Sequence, residues 1–115
     1  MSEYCVYIIL CQNDLLYTGI TNNLSRRIKA HIQKTAARFT KIHKPQKLLA
    51  CWGVSGGRSE ALKVENYIKT KTRVQKKNYI QDLHLLNLNC EKKLSITLLR
   101  FAEGEIEKVN TTLFS

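Results

Sequence analysis

From Tyr4 to Cys11 the chain is an unbroken run of β-prone residues, and Leu15 to Ile20 is a second. Gln12-Asn13-Asp14 between them has turn chemistry, so the pair reads as an N-terminal β-hairpin. If the turn leaves Cys11 opposite Leu15, Tyr7 and Tyr17 become diagonal neighbours on one sheet face. A register shifted by one residue puts them on opposite faces. The sequence leaves both registers open.

After the hairpin, Thr21-Asn22-Asn23 offer N-caps for a helix running to about Lys34, with Leu24, Ile28 and Ile32 as its buried stripe. Thr35 to Gln46 reads as a basic loop holding the single proline, Pro45. Lys47 to Val54 has the composition of a third strand. Gly56-Gly57 breaks it, and Ser59 can cap a second helix to about Thr72. Val74 to Leu88 predicts a third helix, and the alternation of Leu94, Ile96 and Leu98 a late strand. Ala102 to Ser115 fits no one element. The order β-β-α-β-α-α-(β) implies an α/β fold: a small, mostly antiparallel sheet (hairpin plus third strand) flanked by helices. Residues 1–88 form the main domain on this reading, with 89–115 an extension packed on it.

Charge narrows the function. The 115 residues carry a formal net charge of +10. No acid occurs from Leu15 to Ser59, where Arg26, Arg27, Lys29, Lys34, Arg38, Lys41, Lys44, Lys47 and Arg58 all fall. A one-sided positive region suits a polyanion. No long basic amphipathic helix favours a membrane surface, and no stretch approaches the roughly 20 apolar residues of a spanning helix. The start of the chain lacks a basic leader, and the four cysteines, Cys5, Cys11, Cys51 and Cys90, form no C-x-x-C pair. A cytoplasmic protein with reduced thiols is the expectation.

Three sets of polar residues interrupt the apolar pattern. On the second helix, Ala61, Leu62, Val64 and Ile68 make one apolar arc, and Glu65 falls inside it. Such a carboxylate needs a salt-bridge partner or a cation. One carboxylate with waters and a substrate phosphate is a common way to hold Mg²⁺. On the first helix, Arg27 and His31 share a face at the stripe's edge, while Arg26 and Lys29 point to solvent. With no acid nearby in sequence, Arg27 suits a phosphate. Tyr7 and Tyr17 are packing residues taken singly; on one face they would make a phenol-lined site.

These residues are ordered as in the GIY-YIG nuclease superfamily, which the chain resembles from about Tyr4 to Leu83. Cys5-Val6-Tyr7 takes the place of its first motif and Tyr17-Thr18-Gly19 of its second, followed by Arg26-Arg27-x-x-x-His31. Ser55-Gly-Gly-Arg-Ser-Glu-Ala-Leu-Lys-Val-Glu65 resembles the segment carrying the family's metal-binding glutamate. Cys5, Val6 and Thr18 depart from the motifs at positions that shape strands. The resemblance is to the small, stand-alone bacterial branch.

It implies a metal-dependent endonuclease that hydrolyses a phosphodiester by water attack. Glu65 would hold one Mg²⁺ or Mn²⁺ ion, and Arg27 would neutralise developing charge with His31 assisting. Tyr7 or Tyr17 would orient or deprotonate the water. Arg26, Lys29, Arg38, Lys41, Lys44 and Arg58 are the candidate nucleic-acid contacts. The expected partner is nucleic acid, DNA ahead of RNA, read by backbone or shape. The 89–115 extension could add an edge strand, serve a homodimer or close over substrate. The alternatives are a non-cutting DNA- or RNA-binding module of the same fold and a domain docking an acidic protein.

Overall fold

The computed structural model describes residues 3–101 and 103–114; Ala102 and Ser115 of the unassigned C-terminal segment lie outside them. Strand β1 (Tyr4–Cys11) and β2 (Leu15–Thr21) are joined by a 3-10 turn over Gln12–Asp14. Asn13 and Asp14 adopt left-handed backbone, at φ 62° and 60°. Asparagine and aspartate tolerate that region better than most residues, which is why this tripeptide can turn without glycine. The turn places Cys11 opposite Leu15 and Tyr7 opposite Gly19. Of the two registers left open by sequence, this one puts both tyrosines on the same face.

Helix α1 (Leu24–Ile32) follows, then a short α2 (Arg38–Ile42), strand β3 (Pro45–Val54), α3 (Arg58–Lys69), α4 (Arg73–Gln81), α5 (Leu83–Leu94), β4 (Leu98–Phe101) and α6 (Glu103–Leu113). The sheet order is β2-β1-β3-β4, with every neighbouring pair antiparallel. Val6 and Ile8 of β1 face Ala61, Val64 and Ile68 of α3 and the apolar side of α4 and α5. Tyr7, Ile9 and Cys11 face the other way, toward Leu24 and Ile28 of α1 and Val109 of α6. Helices therefore cover both faces, and β1 is apolar throughout because neither side meets water.

A bulge keeps β3 in step with this two-sided core. Ile8 pairs with Ala50 but Ile9 pairs with Leu48, so Leu49 is the extra residue. Leu48 and Ala50, two positions apart, consequently belong to opposite cores. A bulge breaks the ladder locally and leaves backbone groups to be satisfied elsewhere. Asn110 of α6 does so here, its side chain accepting from the Leu48 N–H and donating to the Leu48 carbonyl, each at 2.8 Å.

Several boundaries differ from the sequence expectation. Helix α1 stops at Ile32, not Lys34, because Lys34 turns left-handed (φ 63°). The amides of Lys34 and Thr35 then bond back to the carbonyls of His31 and Ala30. That is a Schellman closure without the usual glycine. Ile32 is 37% exposed and leaves the stripe, while His31 is fully buried in it. The basic loop contains α2, and Pro45 opens β3. Gly57, not Ser59, is the N-cap of α3, which ends at Lys69.

The single helix expected over Val74–Leu88 is two. Asp82 leaves helical geometry and caps α5 by accepting from the His84 N–H at 3.2 Å. Helix α5 then runs through Leu94 and absorbs the start of the expected strand, whose observed span is Leu98–Phe101. Among the described residues, no helix is long and apolar enough to cross a membrane.

Replacing Asn110 with alanine strips both bonds from the bulged Leu48 backbone. Leaving those groups unpaired is expected to cost about 1–3 kcal/mol. Urea denaturation of Asn110→Ala against wild type measures it; equal midpoints would show that water substitutes for the side chain.

Candidate active site

The hairpin register brings the two tyrosines together. Their ring centroids lie 6.4 Å apart. Gly19, across from Tyr7, is required by that approach: a Cβ there would stand 2.5 Å from the Tyr7 Oη and 3.0 Å from the Tyr17 Cε2. The glycine of the second motif thus makes room for the tyrosine of the first. This role of Gly19 exists only across the strand pair, so the motif alone does not reveal it.

Helix α1 closes the site from above the sheet. Asn23 caps it, accepting from the Arg26 N–H at 3.2 Å, and this start fixes where Arg27 and His31 fall. His31 is fully buried. Its Nε2 shares a 2.7 Å hydrogen bond with the Tyr7 Oη, and its Nδ1 shares one of 2.7 Å with Thr40 Oγ1 on α2. The Tyr17 ring meets the imidazole edge-on at 5.1 Å and Phe39 of α2 at 5.6 Å. Phe39 and Thr40 also line the site, and no sequence signal singles them out, since they lie in the segment read as loop.

Arg27 is half-buried. One guanidinium nitrogen, Nη2, donates to the Ala36 carbonyl at 3.3 Å, and Nε is buried without a hydrogen bond. Burial raises the pKa of both phenols, and the Arg27 charge pulls each back down. Glu65 on α3 also raises Tyr17 by repulsion, which sets the carboxylate within electrostatic reach of that ring. The Glu65 side chain is only 12% exposed, and its ion-pair partner is the half-exposed Lys69, at 3.6 Å one turn along the helix. So wet a lysine stabilises a near-buried carboxylate weakly.

Tyr7, Tyr17, Arg27, His31 and Glu65 are therefore assembled from β1, β2, α1 and α3. Beside them a groove of about 310 Å³ is lined by Thr21, Asn22, Asn23, Arg26, Arg27 and Ala30. A second, of about 430 Å³, is lined by Thr35 to Arg38 with Lys41 and Ile42. Arg26, Lys29, Arg38, Lys41, Lys44 and Arg58 are all exposed. Among the described residues no cluster of three or more His, Cys, Asp or Glu could hold a metal ion. A single near-buried carboxylate such as Glu65 could hold a hard cation with waters and substrate oxygens as the other ligands.

Residues 3–78 match the GIY-YIG catalytic domain. The chain belongs to this family. It is 40% identical over 91 residues to a UPF0213 protein of Clostridium perfringens, covering 79% of this chain and 97% of that one. To the UPF0213 protein YazA of Bacillus subtilis it is 36% identical over 81 residues, covering 70% and 81%. The solution NMR structure of a UPF0213 protein from Bacillus halodurans is 33% identical, covers 70% of this chain and 84% of its own, and gives a TM-score of 0.44. The GIY-YIG domain is of nuclease type, so its substrate class is nucleic acid. The small UPF0213 relatives place the chain in the branch that its motifs resemble.

Two predictions follow from the GIY-YIG core. Burial, and then the Arg27 charge, push His31 down to about 4. In the unfolded chain the imidazole titrates near 6.5, so below that pH it takes up a proton the folded state refuses. Stability from this group is full above about pH 6.5 and is lost as pH falls toward 4. Melting temperature should drop between pH 7 and pH 5 more in wild type than in His31→Gln; parallel curves would reject a buried neutral histidine. Gly19→Ala should destabilise by about 1–3 kcal/mol through overpacking against Tyr7, read by the same melts, and unchanged stability would mean the two rings have slack.

Proposed function

We propose that this GIY-YIG domain is a divalent-metal-dependent endonuclease that hydrolyses phosphodiester bonds of DNA, directed by backbone or shape. The observation that carries this reading is Glu65: a carboxylate 12% exposed whose one ion-pair partner among the described residues is a half-exposed lysine, and whose charge acts on Tyr17. A structural acid would be expected to have a buried cationic partner. An acid kept this poorly neutralised suits a divalent cation, and a domain that only grips nucleic acid has no use for it. Glu65 would hold one Mg²⁺ or Mn²⁺ ion, with waters and the substrate phosphate as the other ligands. Bound there, the ion supplies positive charge to the phosphate and the leaving oxygen.

The remaining steps belong to the chain's own side chains. Arg27, with a buried nitrogen free of hydrogen bonds, neutralises charge building on the phosphoryl oxygens. Tyr17 is half-exposed whereas Tyr7 is fully buried. Tyr17 is accordingly the phenol that meets and orients the attacking water. Tyr7 and His31 brace it from below. Both phenols are shifted upward by burial, so Tyr17 begins as a neutral hydrogen-bonding group and not as a phenolate. Arg26, Lys29, Arg38, Lys41, Lys44 and Arg58 contact the phosphodiester backbone, a mode that reads position and not base identity.

The test incubates wild type, Glu65→Ala and Arg27→Ala with branched, nicked, single-stranded and duplex DNA, and with RNA, in Mg²⁺ or Mn²⁺. Wild type should cut DNA, and each variant should lose about 10²–10³-fold in rate, the scale of one charge-stabilising group. Equal cutting by Glu65→Ala sinks the metal assignment. Salt-dependent binding without cleavage under every condition would favour the binding-module reading instead.

A further inference from the structure

The segment from Ala36 to Thr40 touches both Arg27 and His31 of α1. The Ala36 carbonyl receives Arg27 Nη2 at 3.3 Å, and Thr40 Oγ1 lies 2.7 Å from His31 Nδ1. Thr40 is itself fully buried. Its hydroxyl donates to the Ala37 carbonyl at 3.2 Å. A hydroxyl has one proton to give, and giving it to Ala37 leaves the Thr40 oxygen as an acceptor toward His31. The bond between Thr40 and His31 then requires Nδ1 to carry a hydrogen and Thr40 Oγ1 to accept it. Among the described residues, the polar groups found against the ring are Tyr7, Tyr17, Arg27 and Thr40, and none of these is an acid that would favour a second ring proton. A neutral imidazole protonated at Nδ1 is bare at Nε2, the nitrogen 2.7 Å from the Tyr7 hydroxyl.

We propose that Thr40 is a positioning residue that fixes His31 in the Nδ1–H tautomer, so that Nε2 accepts the Tyr7 hydroxyl proton. Hydrogen bonds then run in one direction, from Tyr7 to His31 to Thr40 to the Ala37 carbonyl. The Tyr7 oxygen keeps its lone pairs for the Arg27 side, and its ring is held against Gly19. The place of Thr40 in cleavage rests on the reading of Tyr7 and His31 as parts of the cleavage site. The tautomer itself does not.

The nitrogen resonances of His31 in ¹⁵N-labelled wild type give the first readout, because a protonated and a bare imidazole nitrogen resonate far apart. The expected spectrum has Nδ1 protonated and Nε2 bare at neutral pH; a protonated Nε2 overturns the proposal and needs no variant to show it. In Thr40→Val the acceptor is gone, so the Nε2–H form should appear. The DNA cleavage kcat should fall roughly 10- to 100-fold with KM little changed, a part of the factor that acid–base groups supply. Thr40→Ser should restore both. A Thr40→Val protein with the wild-type tautomer and kcat rejects the assignment. If wild type cuts nothing, the cleavage reading fails while the spectrum still decides what Thr40 does to His31.

Discussion

Strand β1 is the element on which the other layers depend. Its side chains alternate between two cores, Val6 and Ile8 into one and Tyr7, Ile9 and Cys11 into the other. It is bonded to β2 on one side and β3 on the other. A slip of one residue against either neighbour would exchange the cores and expose every apolar side chain to the wrong partner. The left-handed pair Asn13-Asp14 sets the first register, and the Leu49 bulge with its Asn110 clamp adjusts the second. The site inherits its geometry from these two devices.

That inheritance explains why polar groups survive in the interior. Tyr7, His31 and Thr40 are all fully buried. Each would be destabilising alone, by the desolvation of an unpaired group. They are tolerated because the chain of hydrogen bonds from the Tyr7 hydroxyl to the Ala37 carbonyl leaves no member unmade. A network of this kind rigidifies its surroundings, since moving one member unpairs the next. Arg27 and Glu65 are the contrast: among the described residues, one holds a buried nitrogen without a bond and the other a carboxylate paired with a wet lysine. Incomplete satisfaction at the mouth, over complete satisfaction beneath it, is the arrangement expected of a site prepared for a charged ligand.

Much of this was legible in the residues. Glu65 on an apolar arc, Arg27 and His31 on one face, and the acid-free basic stretch follow from helical periodicity and charge count, which depend only on local spacing. The hairpin and third strand were legible for the same reason. Boundaries fared worse where closure came from unusual backbone. Lys34 ends α1 in a conformation that its side chain does not advertise, and Asp82 splits a helix whose apolar periodicity runs straight through it.

The sequence by itself determined that the chain would make a small antiparallel sheet covered by helices, with a basic surface and one misplaced carboxylate. Tertiary structure alone decided which tyrosine is sealed and which meets solvent. It also decided that Gly19 makes room for Tyr7, and that α2 completes the site through Phe39 and Thr40. The reason is physical: periodicity fixes the face of an element on which a side chain lies, through bonds a few residues apart. Contacts between Tyr7 and His31, 24 residues apart in the chain, exist only once register and packing have brought those faces together.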